Sequence, residues 1–195
     1  MRDTAYLLVL DGFADWEASL AASEINKSQR YRVVTVGLSD APVRSMGGLA
    51  VLPGVTHQGV DLERAAVLLV PGGTAWEDRE EPEVTQLLQD AFAADVPIAA
   101  LCGATIGLAR AGLLSDRKHT SNMRGYLSRW VPEYDANHLY VDQPAVRDGN
   151  VITASGMGGV EFAFEVIRLL DLYSDSDQQV WLRIFRDKTV PTDLM

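Results

Sequence analysis

Cys102 is the residue of this chain best suited to act as a nucleophile. It is the only cysteine among 195 residues, and it directly follows an apolar run over residues 96–101. Gly103 and Gly107 are small, as the neighbours of a nucleophile must be where a strand turns sharply into a helix. The pattern therefore predicts a buried strand, a nucleophile elbow at Cys102 and a helix that begins at Thr105.

The predicted position of Cys102 bears on its pKa. A thiol at the start of a helix faces unpaired N–H groups and the positive end of the helix dipole, and both stabilise an anion. We therefore expect the pKa of Cys102 to fall below the free value of about 8.5. Most free cysteines are inert small residues of the core, but this setting favours a reactive thiolate.

Glu17 is a carboxyl group that the same site could use. A helix is predicted over residues 18–26 with Asp15 as its N-cap, which puts Glu17 in the first helical turn, just beyond a first strand over residues 6–10. Many acids in a first turn only stabilise the helix N-terminus. Beside a thiolate, however, the pKa of Glu17 would rise, and the protonated carboxyl could serve as an acid or a base.

Gly72 and Gly73 follow a buried strand that is predicted over residues 66–70. Without a Cβ atom, a glycine lets its backbone N–H approach a ligand closely. Sites in open parallel sheets form beyond the carboxyl ends of the strands, so these glycines are expected to lie close to Cys102. The N–H groups of Gly73 and Gly103 would then bind the oxyanion that forms when the thiolate adds to a carbonyl carbon.

The order of the predicted elements indicates an α/β fold. Strands over residues 6–10, 31–37, 66–70 and 96–101 alternate with helices over 18–26, 82–94 and from 105, and hairpins are predicted over 42–52 and 145–154. Helices over 160–170 and 177–186 follow, and a short strand is predicted over 117–122. Such alternation is typical of a three-layer sandwich around a mostly parallel sheet.

Composition narrows the class of protein and its partners. The chain has 47% hydrophobic and 23% charged residues and is expected to form one domain over residues 1–195. Its net charge of −10 argues against a nucleic-acid partner. The three histidines show no metal-ligand spacing, so we expect no metal and no cofactor. With one cysteine and no apolar run of the ~20 residues that a membrane span needs, a cytoplasmic protein without a membrane partner is expected.

Several motifs along the chain form a recognisable set. They are residues 11–13 with Glu17, residues 71–73, 98–103 and 111–114, Thr120-Ser121, and residues 148–156. On these motifs the chain resembles the ThiJ/PfpI superfamily, which includes the parkinsonism-associated deglycase, PfpI-type peptidases and class I glutamine-amidotransferase-like proteins. It is similar to bacterial members described as intracellular proteases or amidases.

The resemblance implies a flavodoxin-like fold and a homodimer that forms close to the active site. It also implies roles for six residues: Cys102 as nucleophile, Glu17 as its carboxyl partner, and Gly72, Gly73, Gly103 and Asn122 as oxyanion or substrate contacts. Members credited with peptidase activity place a histidine directly after the cysteine, whereas this chain has Gly103 there. Proteolysis is therefore in doubt.

His119 is the histidine closest in sequence after the elbow helix. It lies on the strand predicted over residues 117–122, together with Asn122. Side chains alternate along a strand, so His119 and Asn122, three residues apart, are expected to face opposite ways. If Asn122 lines the pocket, His119 does not reach Cys102 unless a bulge redirects it.

Three functions remain open at this stage. The first is a hydrolase-like enzyme of amidase, peptidase or glyoxalase type, in which Cys102 adds to the carbonyl carbon of a small amide, a peptide or a reactive aldehyde. The second is a stress-response protein that senses oxidants through the same thiol, since a low-pKa thiol beside a carboxyl suits stepwise oxidation. The third and weakest is a ligand-binding regulatory domain.

Overall fold

The structure, a computed structural model, describes residues 2–190. The strands of this part of the chain are β1 (Thr4–Leu8), β2 (Arg32–Gly37), β3 (Val43–Arg44), β4 (Ala50–Val51), β5 (Val55–Thr56), β6 (Ala65–Val70), β7 (Ile98–Leu101), β8 (Ala145–Asp148) and β9 (Val151–Ala154). Its helices are α1 (Ser19–Lys27), α2 (Ala75–Asp78), α3 (Pro82–Ala93), α4 (Ala104–Arg110), α5 (Tyr126–Trp130), α6 (Gly159–Leu169) and α7 (Asp175–Asp187). The predicted domain also includes residue 1 and residues 191–195, which lie outside the described residues.

Seven strands form one sheet in the order β5-β2-β1-β6-β7-β9-β8. Neighbouring strands in this sheet are parallel, except that β8 pairs antiparallel with β9. β3 and β4 form a separate antiparallel hairpin. The predicted α/β fold and both predicted hairpins are confirmed.

Two apolar clusters cover the two faces of the sheet. One contains the inward stripe predicted on α3, which is Val84, Leu87, Leu88 and Ala91. The other contains Phe162 of α6 and side chains from α1 and α7. Every residue of β6 is buried, because helices cover both of its sides. Among residues 2–190, no helix combines the length and the apolar composition needed to cross a membrane.

The start of α1 differs from the prediction. Asp15 does not cap this helix, which begins at Ser19 after Ala18. Instead the Asp15 carboxylate accepts the backbone N–H of Gly47 at 3.0 Å and so ties the tip of the β3–β4 hairpin to this segment. Glu17 consequently lies in the turn that precedes α1, and the prediction that it lies in the first helical turn is wrong.

Residues 117–122 do not form the predicted strand. His119 pairs as a single bridge residue with Tyr140. The next backbone N–H, that of Thr120, is satisfied by the hydroxyl of Thr153 at 2.8 Å. One side-chain hydrogen bond from β9 and the bridge to Tyr140 therefore hold a segment for which a strand was predicted.

Candidate active site

The elbow at Cys102 connects β7 to α4. Cys102 has a φ of 57°, in the left-handed region that residues other than glycine rarely adopt. Its N–H donates to the carbonyl of Ala154 at 2.9 Å, and the Thr105 hydroxyl donates to the carbonyl of Cys102 at 2.6 Å. A residue in this region costs about 1–3 kcal/mol and persists only where its surroundings hold it. The predicted sharp turn is thus confirmed, and these two bonds secure it.

Glu17 is a buried carboxyl with 2% of its surface exposed. Its Oε2 accepts the backbone N–H of Gly72 at 2.7 Å, and its side chain is hydrogen-bonded to the thiol of Cys102. Burial raises the pKa of Glu17, and this effect exceeds the lowering by its bonds to Cys102 and Gly72. Glu17 therefore retains a proton at higher pH than an exposed glutamate does.

The expectation that the pKa of Cys102 falls below its ordinary value is wrong. Burial and the negative charge of Glu17 raise the pKa of Cys102 to about 11, although hydrogen bonds from Asn122 and Gly103 act to lower it. A proton on Glu17 removes the opposing charge and leaves those two donors in place. The charge state of Glu17 therefore affects the pKa of the thiol, and a thiolate at Cys102 is opposed less when Glu17 holds a proton, although burial still opposes it.

Asn122 contacts the sulfur directly. Its Nδ2 lies 3.5 Å from Sγ of Cys102, and its Oδ1 accepts the backbone N–H of Gly156 at 2.9 Å. Gly156 was not predicted as a site residue, although it belongs to the motif over residues 148–156. Its position just after Thr153 and Ala154 at the carboxyl end of β9 is the signal that could have identified it.

Two glycines leave the space that the thiol and the carboxyl occupy. A Cβ atom on Gly72 would lie 2.7 Å from Cβ of Cys102 and 2.8 Å from Oε2 of Glu17. A Cβ atom on Gly156 would lie 3.0 Å from Sγ of Cys102 and 3.3 Å from Oε1 of Glu17. Both distances to the sulfur side chain are shorter than ordinary contacts, so neither position accommodates a side chain without displacing the reacting groups.

Gly73 and Gly103 lie against each other beside the elbow. Gly73 has a φ of 145°, and a Cβ atom there would lie 2.4 Å from the carbonyl oxygen of Gly12. A Cβ atom on Gly103 would lie 3.1 Å from the carbonyl oxygen of Gly73 and 3.1 Å from Cβ of Trp76. The N–H of Gly103 is hydrogen-bonded to the Cys102 sulfur. The two predicted oxyanion residues are therefore brought together with the thiol.

His119 is fully buried and is engaged elsewhere. Its Nδ1 is hydrogen-bonded to the carbonyl oxygen of Arg117 at 2.8 Å, and its Nε2 is hydrogen-bonded to the hydroxyl of Tyr134. Burial lowers the pKa of His119, so the ring is neutral at pH 7. Asn122 contacts the sulfur and His119 does not engage it, as expected, although these residues do not lie on a strand with alternating side chains.

Exposed apolar side chains adjoin the site. Trp16, Met123 and Met157 directly neighbour Glu17, Asn122 and Gly156 in the chain, and they are 58%, 64% and 93% exposed. Large apolar side chains are thus exposed on three different segments that also carry site residues. Sequence reasoning did not single out these residues, because an apolar residue in a loop does not reveal its exposure.

A sequence model of the DJ-1/PfpI family matches residues 3–169. The chain belongs to the DJ-1/PfpI family. YoaZ, an uncharacterized protease of Bacillus subtilis strain 168, is 35% identical to this DJ-1/PfpI chain over 187 residues, which cover 92% of the chain and 89% of YoaZ.

Solved structures agree with this membership of the DJ-1/PfpI family. A ThiJ/PfpI family protein from Bacillus anthracis superimposes with a TM-score of 0.92 at 31% identity, over 97% of this chain and 92% of that one. A DJ-1 superfamily protein from Agrobacterium tumefaciens gives a TM-score of 0.88 at 32% identity, over 95% of this chain and 98% of that one. The resemblance found in the motifs and the expected flavodoxin-like fold are confirmed.

Proposed function

We propose that this chain is an enzyme in which Cys102 adds to the carbonyl carbon of a small reactive aldehyde. The observation that carries the proposal is the pairing of the thiol with buried Glu17, while both ring nitrogens of His119 are hydrogen-bonded elsewhere. Hydrolysis of an amide requires a proton for the leaving nitrogen, which an imidazole supplies in Cys-His enzymes. Addition to an aldehyde has no leaving group and needs only the proton that Glu17 holds.

The proposed addition begins with the pair carrying one proton. A sulfur lone pair forms the S–C bond, the C=O π electrons move to oxygen, and the proton on Glu17 passes to that oxygen. The product is a hemithioacetal on Cys102. The N–H groups of Gly73 and Gly103 are the proposed donors to the developing oxyanion.

A 2-oxoaldehyde would allow the reaction to continue without any external oxidant or reductant. Glu17, now a carboxylate, removes the C–H proton of the hemithioacetal and returns it to the neighbouring carbon, while the hydroxyl proton moves from the first oxygen to the oxygen of the adjacent carbonyl. The former aldehyde carbon is thereby oxidised to a thioester, and the adjacent carbonyl is reduced to an alcohol. Water then cleaves the S–C bond, releasing a 2-hydroxy acid and restoring the thiol of Cys102.

Methylglyoxal is a suitable probe for this proposal. The wild type is expected to form lactate, and Cys102→Ser and Glu17→Gln are expected to lose this activity. Gly59→Ala is a matched control, because a Cβ atom at Gly59 would make only an ordinary 3.4 Å contact. Lactate formation that persists in Cys102→Ser would refute the proposal.

Amide or peptide hydrolysis is the alternative outcome of the same experiment. The name of YoaZ as a protease supports it, and the absence of a histidine after Cys102 opposes it. Fluorogenic peptides and small amides are assayed with the same preparations. Cleavage of these compounds that depends on Cys102, without any lactate from methylglyoxal, would replace the aldehyde proposal with a peptidase or amidase.

Oxidant sensing is a second candidate function, and the partial exposure of Cys102 favours it. A sulfinate on this residue would find hydrogen-bond donors in Asn122 and in protonated Glu17. Intact-protein mass spectrometry after mild peroxide treatment tests this function. A gain of two oxygen atoms that disappears in Cys102→Ser is expected, whereas an unmodified wild-type thiol would exclude this role.

A further inference from the structure

Trp76 is a buried aromatic residue of α2 that contacts both segments of the predicted oxyanion glycines. It is 5% exposed. Its indole Nε1–H donates to the carbonyl oxygen of Pro71 at 3.0 Å. A Cβ atom on Gly103 would lie 3.1 Å from Cβ and 3.3 Å from Cδ1 of Trp76, so the indole packs closely against that glycine. Trp76 therefore connects the segment that follows β6 to the elbow that precedes α4.

The position of the indole is fixed from two sides. Gly107 of α4 leaves room for the six-membered ring, since a Cβ atom there would lie 2.4 Å from Cζ3 of Trp76. The backbone of α2 is held as well, because the Arg110 guanidinium donates to the carbonyl oxygens of Trp76 and Arg79 at 2.9 Å each. The indole N–H thus approaches Pro71 from a defined place.

The peptide unit between Pro71 and Gly72 links this indole to the acid of the site. Its carbonyl oxygen accepts the Trp76 Nε1–H, and its N–H donates to Oε2 of Glu17 at 2.7 Å. A peptide unit is planar, so its carbonyl and its N–H turn together. An indole that fixes the carbonyl therefore also fixes the direction in which the N–H of Gly72 points.

The two hydrogen bonds also act in series. Each bond polarises the peptide unit that they share, and this polarisation strengthens the other bond. The bond from Gly72 lowers the pKa of Glu17 and so opposes the burial that raises it. Loss of the indole N–H should weaken the bond from Gly72 and allow the pKa of Glu17 to rise further.

We propose that Trp76 is a positioning residue whose indole N–H orients the peptide unit between Pro71 and Gly72 toward Glu17. Through this unit, Trp76 sets how readily Glu17 gives up its proton. The inference deepens the proposed function and rests on it only in taking Glu17 as the proton carrier of the site.

Carbon NMR of protein that is isotope-labelled at the glutamate Cδ atoms tests this proposal without any substrate. The Glu17 resonance is identified by its loss in Glu17→Gln, and its midpoint is measured against pH. The pKa of Cys102 is about 11, so the midpoint found at lower pH belongs to Glu17. Trp76→Phe removes the N–H and retains an aromatic ring, and the Glu17 midpoint is expected to rise by at least about 0.3 pH unit.

Trp181→Phe is the matched control for this change. Trp181 is also buried, with 8% of its surface exposed, but its Nε1–H has no hydrogen-bond partner among residues 2–190. The substitution removes the same volume from the core and should leave the Glu17 midpoint unchanged. A shift of equal size in Trp181→Phe and Trp76→Phe would assign the effect to general loosening of the core and would overturn the proposal.

A second measurement tests the proposal in the wild type. The chain has four tryptophans, whose indole N–H resonances are followed by NMR of a nitrogen-labelled sample. The Trp76 resonance should shift with the Glu17 midpoint, because one peptide unit joins the two groups, and this shift should disappear in Glu17→Gln. Trp16→Phe, Trp130→Phe and Trp181→Phe identify the other three resonances, so the Trp76 resonance is assigned even if Trp76→Phe does not fold.

Two further results would contradict the proposal. One is a Glu17 midpoint in Trp76→Phe that equals that of the wild type, and the other is a Trp76 indole resonance that does not respond to the titration of Glu17. Neither result bears on lactate formation from methylglyoxal, whose dependence on Cys102 tests the proposed function. Failure of this inference is therefore distinguishable from failure of the proposed function.

Discussion

Gly72 donates its backbone N–H to Oε2 of Glu17 over 2.7 Å. The same glycine lies so close to the elbow that a Cβ atom on it would be 2.7 Å from Cβ of Cys102. One backbone position thus orients the buried carboxyl and also limits the space for the thiol. This relationship leads to the first prediction.

Gly72→Ala should displace the reacting groups and leave the fold largely intact. We expect kcat/KM for methylglyoxal to fall by about a hundredfold, because misplacement of reacting groups by about 1 Å can have an effect of that size. Circular dichroism should show unchanged secondary structure. Gly59→Ala should retain full activity, and a fully active Gly72→Ala would contradict the assigned geometry.

Glu17→Gln should make Cys102 more reactive toward a simple alkylating reagent while abolishing turnover. The charge of Glu17 raises the pKa of the thiol, so its removal should lower that pKa from about 11 and speed alkylation by iodoacetamide near pH 9. Turnover of methylglyoxal should fall at least about a hundredfold, because the proton carrier is lost.

Glu24→Gln is the matched control for that change. Glu24 is also a buried glutamate, with 3% of its surface exposed, but its carboxylate is bonded to Lys27 and Tyr173. In Glu24→Gln, neither the rate of Cys102 alkylation nor the turnover of methylglyoxal should differ from the wild type. Slower alkylation in Glu17→Gln than in the wild type would show that the carboxylate does not repel the thiolate.

Stability should respond to the titration of Glu17. Burial raises the folded-state pKa of Glu17 above its ordinary value of 4.5, so in the interval between them the folded protein binds more protons than the unfolded chain. The contribution of this group to the free energy of unfolding is therefore full below pH 4.5 and is lost as pH rises through the raised pKa.

Urea unfolding at a series of pH values measures this loss. Glutamine does not titrate, so the stability of Glu17→Gln relative to the wild type should increase as pH rises from 4.5. Glu24→Gln retains Glu17, so the contribution of Glu17 to the pH dependence of stability should be the same in this variant as in the wild type. A pH-independent difference between Glu17→Gln and the wild type would mean that the carboxyl is solvated in the folded protein.

A homodimer remains a prediction, and exposed apolar side chains support it. We propose that a second copy of the chain covers Trp16, Met46 and Leu49, which are 58%, 50% and 57% exposed. The bond from Gly47 to the Asp15 carboxylate holds their two segments together.

Light scattering in solution should give twice the chain mass of 21.3 kDa. Trp16→Glu should reduce this value to the mass of one chain. Val190→Glu, at an exposed apolar residue after α7, is the control and should leave the dimer intact. A monomeric wild type would contradict the proposed homodimer.

Much of the fold follows from patterns within single segments. Continuous apolar runs predict buried strands such as β6, and the stripe from Val84 to Ala91 predicts the inward side of α3, because burial of apolar surface is the same physical requirement in any context. The observed ends of helices and strands differ from the predicted ends by a few residues, because capping depends on partners outside the segment. Asp15 is an example, because the local sequence predicts it as the N-cap of α1, whereas its carboxylate accepts the backbone N–H of Gly47 in the structure.

The sequence by itself determined the fold class, the elbow at Cys102, and the candidacy of Glu17, Gly72 and Gly73, because these depend on residue type and local spacing. Only the tertiary structure decided that Gly156 completes the site, that His119 is engaged elsewhere, and that an ionised Glu17 raises the pKa of Cys102. The physical reason is that burial, hydrogen-bond partners and charge separation depend on distances between segments far apart in the chain. Local sequence patterns do not contain those distances.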